Sequence, residues 1–202
     1  MSVTITRDGN VGIVTLDNPP VNAIGAEMRK GLLDAVAWAE REWLDRVIVT
    51  GAGRAFAAGA DAKEFDADPV EPHLPDVLNA IDRSFVPWIA AINGVALGGG
   101  AEIALACRMR IASPKSAIGL PEVTLGVIPG AGGTQRLPRL VKYLDAAKMV
   151  AYGKPLRAPD ALTSGLIHDI DPDPVEAAFM VTTEALLCIV PTWELPAHHG
   201  DS

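Results

Sequence analysis

The chain predicts an α/β layered fold, on three observations. Short apolar strand runs alternate with segments of helical spacing, in the order strand, strand, helix, repeated irregularly. Glycine or proline punctuates most junctions between them. With 202 residues, 49% of them hydrophobic, one domain can bury a substantial core. A charged fraction of 21% argues against disorder.

Val3 and Ile5, then Val11, Ile13, Val14 and Leu16, flank Asp8-Gly9-Asn10 and predict a hairpin, broken by Asn18-Pro19-Pro20. From Ala26 onward, Met28, Leu32, Val36, Ala39 and Trp43 recur at helical spacing. Val47–Thr50 predicts a short buried strand ended by Gly51-Ala52-Gly53. Asp66 to Pro75, with three prolines and several acids, predicts a mobile surface loop. A helix is expected over Asp76–Phe85, and Pro87 opens a buried strand, Ile89–Ile92. Gly98, Gly99 and Gly100 precede a helical run ending near Cys107, and Met109–Ala112 is a further strand. Helices are expected over Lys142–Tyr152, Pro159–Ser164 and Val175–Cys188, followed by a frayed end over Thr192–Ser202. No internal repeat or low-complexity tract interrupts this order.

Lys and Arg total 17 against 25 Asp and Glu, a net charge of −8. Phosphate neutralisation needs a basic surface, so a general nucleic-acid binder is disfavoured, although a few local cations can hold an anionic small ligand. No apolar run approaches the roughly 18 residues of a membrane span. Met1 to Arg7 alternates like a strand and lacks the architecture of a signal peptide. The two cysteines, Cys107 and Cys188, predict buried apolar thiols in a reducing compartment. His73, His168, His198 and His199 lack carboxylate or cysteine partners at ligand spacing, so no metal site is expected. These features predict a soluble domain of the cytoplasmic kind.

Three glycine-rich stretches invite a phosphate-loop reading. Gly51-Ala52-Gly53 follows a strand, but the third small position of a dinucleotide-binding turn falls on Phe56. Gly130-Ala131-Gly132-Gly133-Thr134-Gln135 fails at Gln135 and lacks the Gly-Lys-Ser/Thr ending of a nucleotide loop. A Gly-x-Ser-x-Gly elbow is also absent from the sequence, which disfavours a serine hydrolase. Glycine also lets a backbone N–H approach a ligand closely. The turn at Gly59-Ala60 and the helix start at Gly98–Gly100 can each offer one such donor, and two donors converging on one oxygen make an oxyanion hole. For Gly51 and Gly53 a tight turn is sufficient reason.

Two acids stand out. Glu102 lies one turn past Gly99 in an otherwise apolar helix, and Glu122 is a lone acid in the turn-like run Gly119-Leu120-Pro121-Glu122-Val123. Each is an isolated exposed residue, a buried ion-pair member or a functional group. Two semi-buried glutamates beside an oxyanion hole are equipped to move a proton and activate water next to a carbonyl.

The stretches Arg54–Phe65, Ala91–Cys107 and Leu120–Arg136 closely resemble the enoyl-CoA hydratase/isomerase (crotonase) family, in register from about Val3 to Asp171. The resemblance implies a spiral of β-β-α units with C-terminal helices, here shortened, assembled as trimers or pairs of trimers. It implies an oxyanion hole from the N–H groups of Ala60 and Gly99 for the thioester carbonyl of an acyl-CoA. Glu102 would activate water for attack at Cβ, Glu122 would supply the proton to Cα, and Gly130 N–H would help seat the water. Isomerases of the family generally lack the first glutamate, so the pair favours hydration. Arg54, Ala58, Asp61 and Lys63 fall where family members contact CoA. The chemistry implied needs no metal or redox cofactor.

Arg108 stands where the family commonly places an acid. Stand-alone hydratases also continue for several more helices. The expected division is therefore a crotonase-like domain over 1–190 and a Pro- and His-containing tail over 191–202. This resembles the N-terminal hydratase part of a multifunctional protein fused to a 3-hydroxyacyl-CoA dehydrogenase. Isomerase or other family chemistry, and an acyl-CoA-binding module of weak activity, remain alternatives.

Overall fold

A computed structural model describes residues 2–59, 64, 68 and 70–196. Its strands are β1 (Val3–Asp8), β2 (Val11–Leu16), β3 (Arg46–Gly51), β4 (Ala55–Ala58), β5 (Trp88–Ile92), β6 (Val95–Leu97), β7 (Met109–Ala112), β8 (Ala117–Gly119), β9 (Leu156–Arg157) and β10 (Asp169–Ile170). The helices are α1 (Ala26–Arg41), α2 (Leu74–Arg83), α3 (Gly99–Ala106), α4 (Gly133–Leu140), α5 (Tyr143–Tyr152), α6 (Ala158–Thr163), α7 (Pro174–Met180) and α8 (Thr183–Leu187). Short 3₁₀ turns cover Glu122–Leu125 and Thr192–Glu194.

Two sheets divide these strands. The larger runs β1-β2-β3-β5-β7-β10 and the smaller β4-β6-β8-β9. Only β1–β2 and β8–β9 pair antiparallel. Successive pairs β3–β4, β5–β6 and β7–β8 each give one strand to each sheet before the chain turns into a helix. The expected β-β-α spiral is therefore present.

The central strands β3 and β5 of the larger sheet are buried on both faces, and the alternation of side chains along a strand explains how. Val47 and Val49 of β3 join the main core with Leu16, Met28, Phe56, Trp88 and Ile103. Ile48, with Ile89, Ala91 and Ile111, faces the other way onto Ala178 of α7 and Leu186 of α8.

The small sheet was not legible in the sequence. β4, β6 and β8 are only three or four residues long and rich in Ala and Gly, which carry little strand preference. Packing demands the glycines that flank these strands. A Cβ on Gly94 would lie 2.0 Å from the Arg54 carbonyl oxygen, and one on Gly100 2.0 Å from that of Ala57. Asn22 and Asn93 tie the bends: Asn22 Nδ2 donates to the carbonyls of Ala52, Ala55 and Phe56, and Asn93 Nδ2 to those of Gly51 and Gly53.

Several boundaries differ from expectation. Helix α1 stops at Arg41; Trp43 adopts a left-handed φ of 51° and stands exposed against Phe85, ring centroids 5.2 Å apart. The helix expected over Val175–Cys188 is two, because Val181 is extended and the Thr182 hydroxyl caps a fresh start at Ala185 N. That break leaves Cys188 exposed rather than buried, while Cys107 is buried as expected and its thiol is pushed up to about 12 by burial. Thr192 is buried and donates to the Leu105 carbonyl, so the segment expected to fray from Thr192 is packed through the Thr192–Glu194 turn. Most of the loop expected over Asp66–Pro75, and residues 197–202, lie outside the described residues.

Arg110 secures the far end of α3. Its guanidinium is fully buried and donates to the carbonyls of Ala104 and Cys107 at the end of α3 and to that of Leu166 before β10. Burial lowers its pKa to about 10, still far above neutrality. Arg110→Met, which keeps most of the volume but strands these carbonyls, is expected to cost about 3 kcal/mol or more of stability. Urea unfolding of the two proteins checks this; a loss within about 0.5 kcal/mol would contradict it.

Candidate active site

The site is built where α3 begins. Gly98 holds φ at 57°, a conformation that disfavours a side chain, and a Cβ there would lie 3.2 Å from Glu122 Oε1. The Gly98 N–H bonds the Gly119 carbonyl and the Gly59 N–H bonds that of Leu97, so the ends of β4, β6 and β8 converge on this point. Gly99 is the first residue of α3, where amides have no intrahelical carbonyl to bond. Gly59 and the start of α3 at Gly98 and Gly99 thus meet at one corner. Ala60 itself lies outside the described residues, as do Asp61 and Lys63.

Glu102 sits one turn along, 3% exposed. Its Oε1 accepts the N–H groups of Ala131 and Gly133, both at 2.8 Å. No hydrogen bond among the described residues occupies Oε2. Burial raises its pKa above the usual carboxylate range, against the pull of those two amides and of the Arg136 charge. Glu122 opens the 3₁₀ turn after Pro121, and its Oε2 is buried with no hydrogen-bond partner among the described residues. Burial raises its pKa too; its own backbone N–H opposes the shift and the Glu102 charge adds to it.

Both glutamates line one cavity of about 780 Å³, in the range that holds a small-molecule ligand. Its walls are otherwise apolar, with Ile24, Leu74, Leu97, Leu125, Val127 and Ile128 prominent. Among the described residues, Glu102 and Glu122 are its only ionisable side chains. The chemistry available is therefore proton transfer at an apolar surface beside helix-start amides.

Of the residues singled out in the sequence, Ala58, Gly99, Glu102, Glu122 and Gly130 meet in this wall. The Ala58 N–H is taken by the Val21 carbonyl, so it is no free donor. Arg54 stands exposed in the turn before β4 and does not line the cavity. Three residues behind the site had no signal in the sequence. Arg136 bonds Asp82 and Asn79 of α2, residues 54 and 57 positions away, and no local pattern announces such pairs.

The model of the enoyl-CoA hydratase/isomerase family matches residues 6–188. A peroxisomal bifunctional enzyme of Danio rerio is 42% identical over 165 residues, 80% of this chain and 23% of that protein. A probable enoyl-CoA hydratase of Bacillus subtilis is 38% identical over 174 residues, 82% of this chain and 67% of the relative. This chain therefore spans under a quarter of the first and two thirds of the second. The crystal structure of an enoyl-CoA hydratase from Bacillus anthracis superposes with a TM-score of 0.85 at 34% identity, covering 95% of this chain and 78% of that one. With the β-β-α spiral, the paired glutamates and this match along nearly its whole length, the chain belongs to the enoyl-CoA hydratase/isomerase family.

Proposed function

We propose that this chain adds water across the double bond of a trans-2-enoyl-CoA thioester, giving the 3-hydroxyacyl-CoA. The observation that carries the reading is the pair of glutamates in one cavity. Among the described residues, Glu102 is anchored through one oxygen with no hydrogen bond at the other, and Glu122 has a buried oxygen with no partner. Glu102 takes a proton from water as its oxygen bonds Cβ. The alkene electron pair moves toward the thioester, placing negative charge on the carbonyl oxygen, where the amides at Gly99 and Ala60 stabilise it. Glu122 gives its proton to Cα as the enolate collapses, and proton exchange then resets the pair. Every step is assigned to side chains, backbone amides and water.

An acyl-CoA is the partner this reading requires. Assembly as a trimer or a pair of trimers, and origin within a longer protein carrying a dehydrogenase, belong to the same proposal. The test is the loss of conjugated enoyl-thioester absorbance when purified protein meets crotonyl-CoA, with the product identified as 3-hydroxybutyryl-CoA. Double-bond migration in a 3-enoyl-CoA without any hydration would instead establish an isomerase. Tight acyl-CoA binding with neither reaction would establish a binding module.

A further inference from the structure

The loop 131–133 is held from both sides. On one side its amides donate to Glu102 Oε1, and a Cβ on Gly133 would press to 3.0 Å of that oxygen. On the other side lies the Arg136 guanidinium. Its Nη1 donates to the Ala131 carbonyl at 3.0 Å, and a Cβ on Gly132 would come within 2.5 Å of the same nitrogen. The remaining nitrogens are held in turn: Nε by Asp82 Oδ2 at 2.9 Å and Nη2 by Asn79 Oδ1 at 2.8 Å. Asp82 is 3% exposed along its side chain. All three guanidinium nitrogens are thus committed to fixed partners, which a lysine cannot match.

We propose that Arg136 is a positioning residue of the reaction. Braced by Asp82 and Asn79, it fixes the peptide at Ala131 so that the neighbouring amides hold Glu102 with its second oxygen toward the cavity. The inference rests on the hydratase reading for its kinetic consequences, but not for its geometry. The Ala131–Gly132 peptide, whose carbonyl the arginine holds, lies between the two peptides whose N–H groups, of Ala131 and Gly133, bond the glutamate. The charged groups that face Glu102 are Arg136 from α4 and Glu122 across the cavity, with Asp82 of α2 facing Arg136. Strands β4, β5 and β6, which also pack around α3, carry no ionisable side chain.

The test combines kinetics with the titration of Glu102 followed by ¹³C NMR of its side-chain carboxyl. Arg136→Gln is expected to lower kcat by roughly 10–100-fold with KM within about threefold. Removing the cation also moves the Glu102 titration, and with it the acid limb of the pH profile, to higher pH. Arg136→Lys is expected to restore the limb toward wild type while recovering only part of kcat, since charge returns but the fork does not. Because Arg136 is buried, Asn79→Ala provides a variant at an exposed position, expected to lower kcat by about 2–5-fold with the limb displaced the same way. Folded variants with wild-type kcat and an unmoved Glu102 titration would overturn the proposal. If the wild type hydrates no enoyl-CoA, the hydratase reading falls, while the NMR titration still decides whether Arg136 governs Glu102.

Discussion

Glu122→Gln is expected to lower enoyl-CoA turnover by about 10²–10⁴-fold, or roughly 3–5 kcal/mol of barrier, while KM stays within about threefold. Glutamine keeps the size and apolar fit of the side chain but has no proton of suitable acidity for Cα. Because Glu122 must be protonated to act, the wild-type rate falls as pH rises through its pKa. Burial, and the negative charge of Glu102 nearby, move that pKa upward, so the alkaline limb lies above the ordinary carboxylate range. The two groups titrate as a coupled pair, and the limbs report the pair rather than either residue alone. A pH series of kcat on crotonyl-CoA for both proteins checks this. An alkaline limb unchanged in residual Glu122→Gln activity would assign the proton to another donor.

Glu102→Gln is expected to abolish turnover to a similar extent and to stabilise the protein. The amide oxygen can accept the same two N–H bonds from Ala131 and Gly133, so the loop is kept, but the variant cannot take a proton from water. Burial raises the Glu102 pKa in the folded chain above its unfolded value. Stability linked to its protonation is then fully present below the unfolded pKa and is lost as pH rises through the folded one. The glutamine variant never pays that cost. Its Tm should exceed that of the wild type by about 2 °C or more at neutral pH, and the difference should shrink on acidification. Thermal melts between pH 4 and 8 decide the point; a variant less stable at neutral pH would mean that the carboxylate is a net support of the fold.

The legibility of this molecule in its sequence follows a physical rule. Long elements with a repeating apolar face, such as α1 with Met28, Leu32, Val36 and Ala39, are visible because burial imposes a period. Glu102 is visible because a charge inside Ala-Ile-Ala-Leu surroundings must be explained. The second strand of each unit is invisible, since β4, β6 and β8 are only three or four residues long, too short to display a period. The helix α4 is hidden by its opening Gly133 and by the proline at Pro138 within it. The arginine brace is hidden for a different reason: its partners are adjacent in space and far apart in the chain.

One consequence concerns how this scaffold can change. The supports of the reactive end are glycines with no room for even one added carbon, as at Gly94 and Gly100, together with a carboxylate gripped by main-chain amides. The cavity is also walled by Leu125 and Ile128, 73% and 74% exposed, on a segment that contributes little to the core. Variation in these two parts is thus unequally tolerated. Under the hydratase reading, the supports of the reacting groups are fixed by the backbone, while the exposed apolar wall can be altered with less cost to the fold.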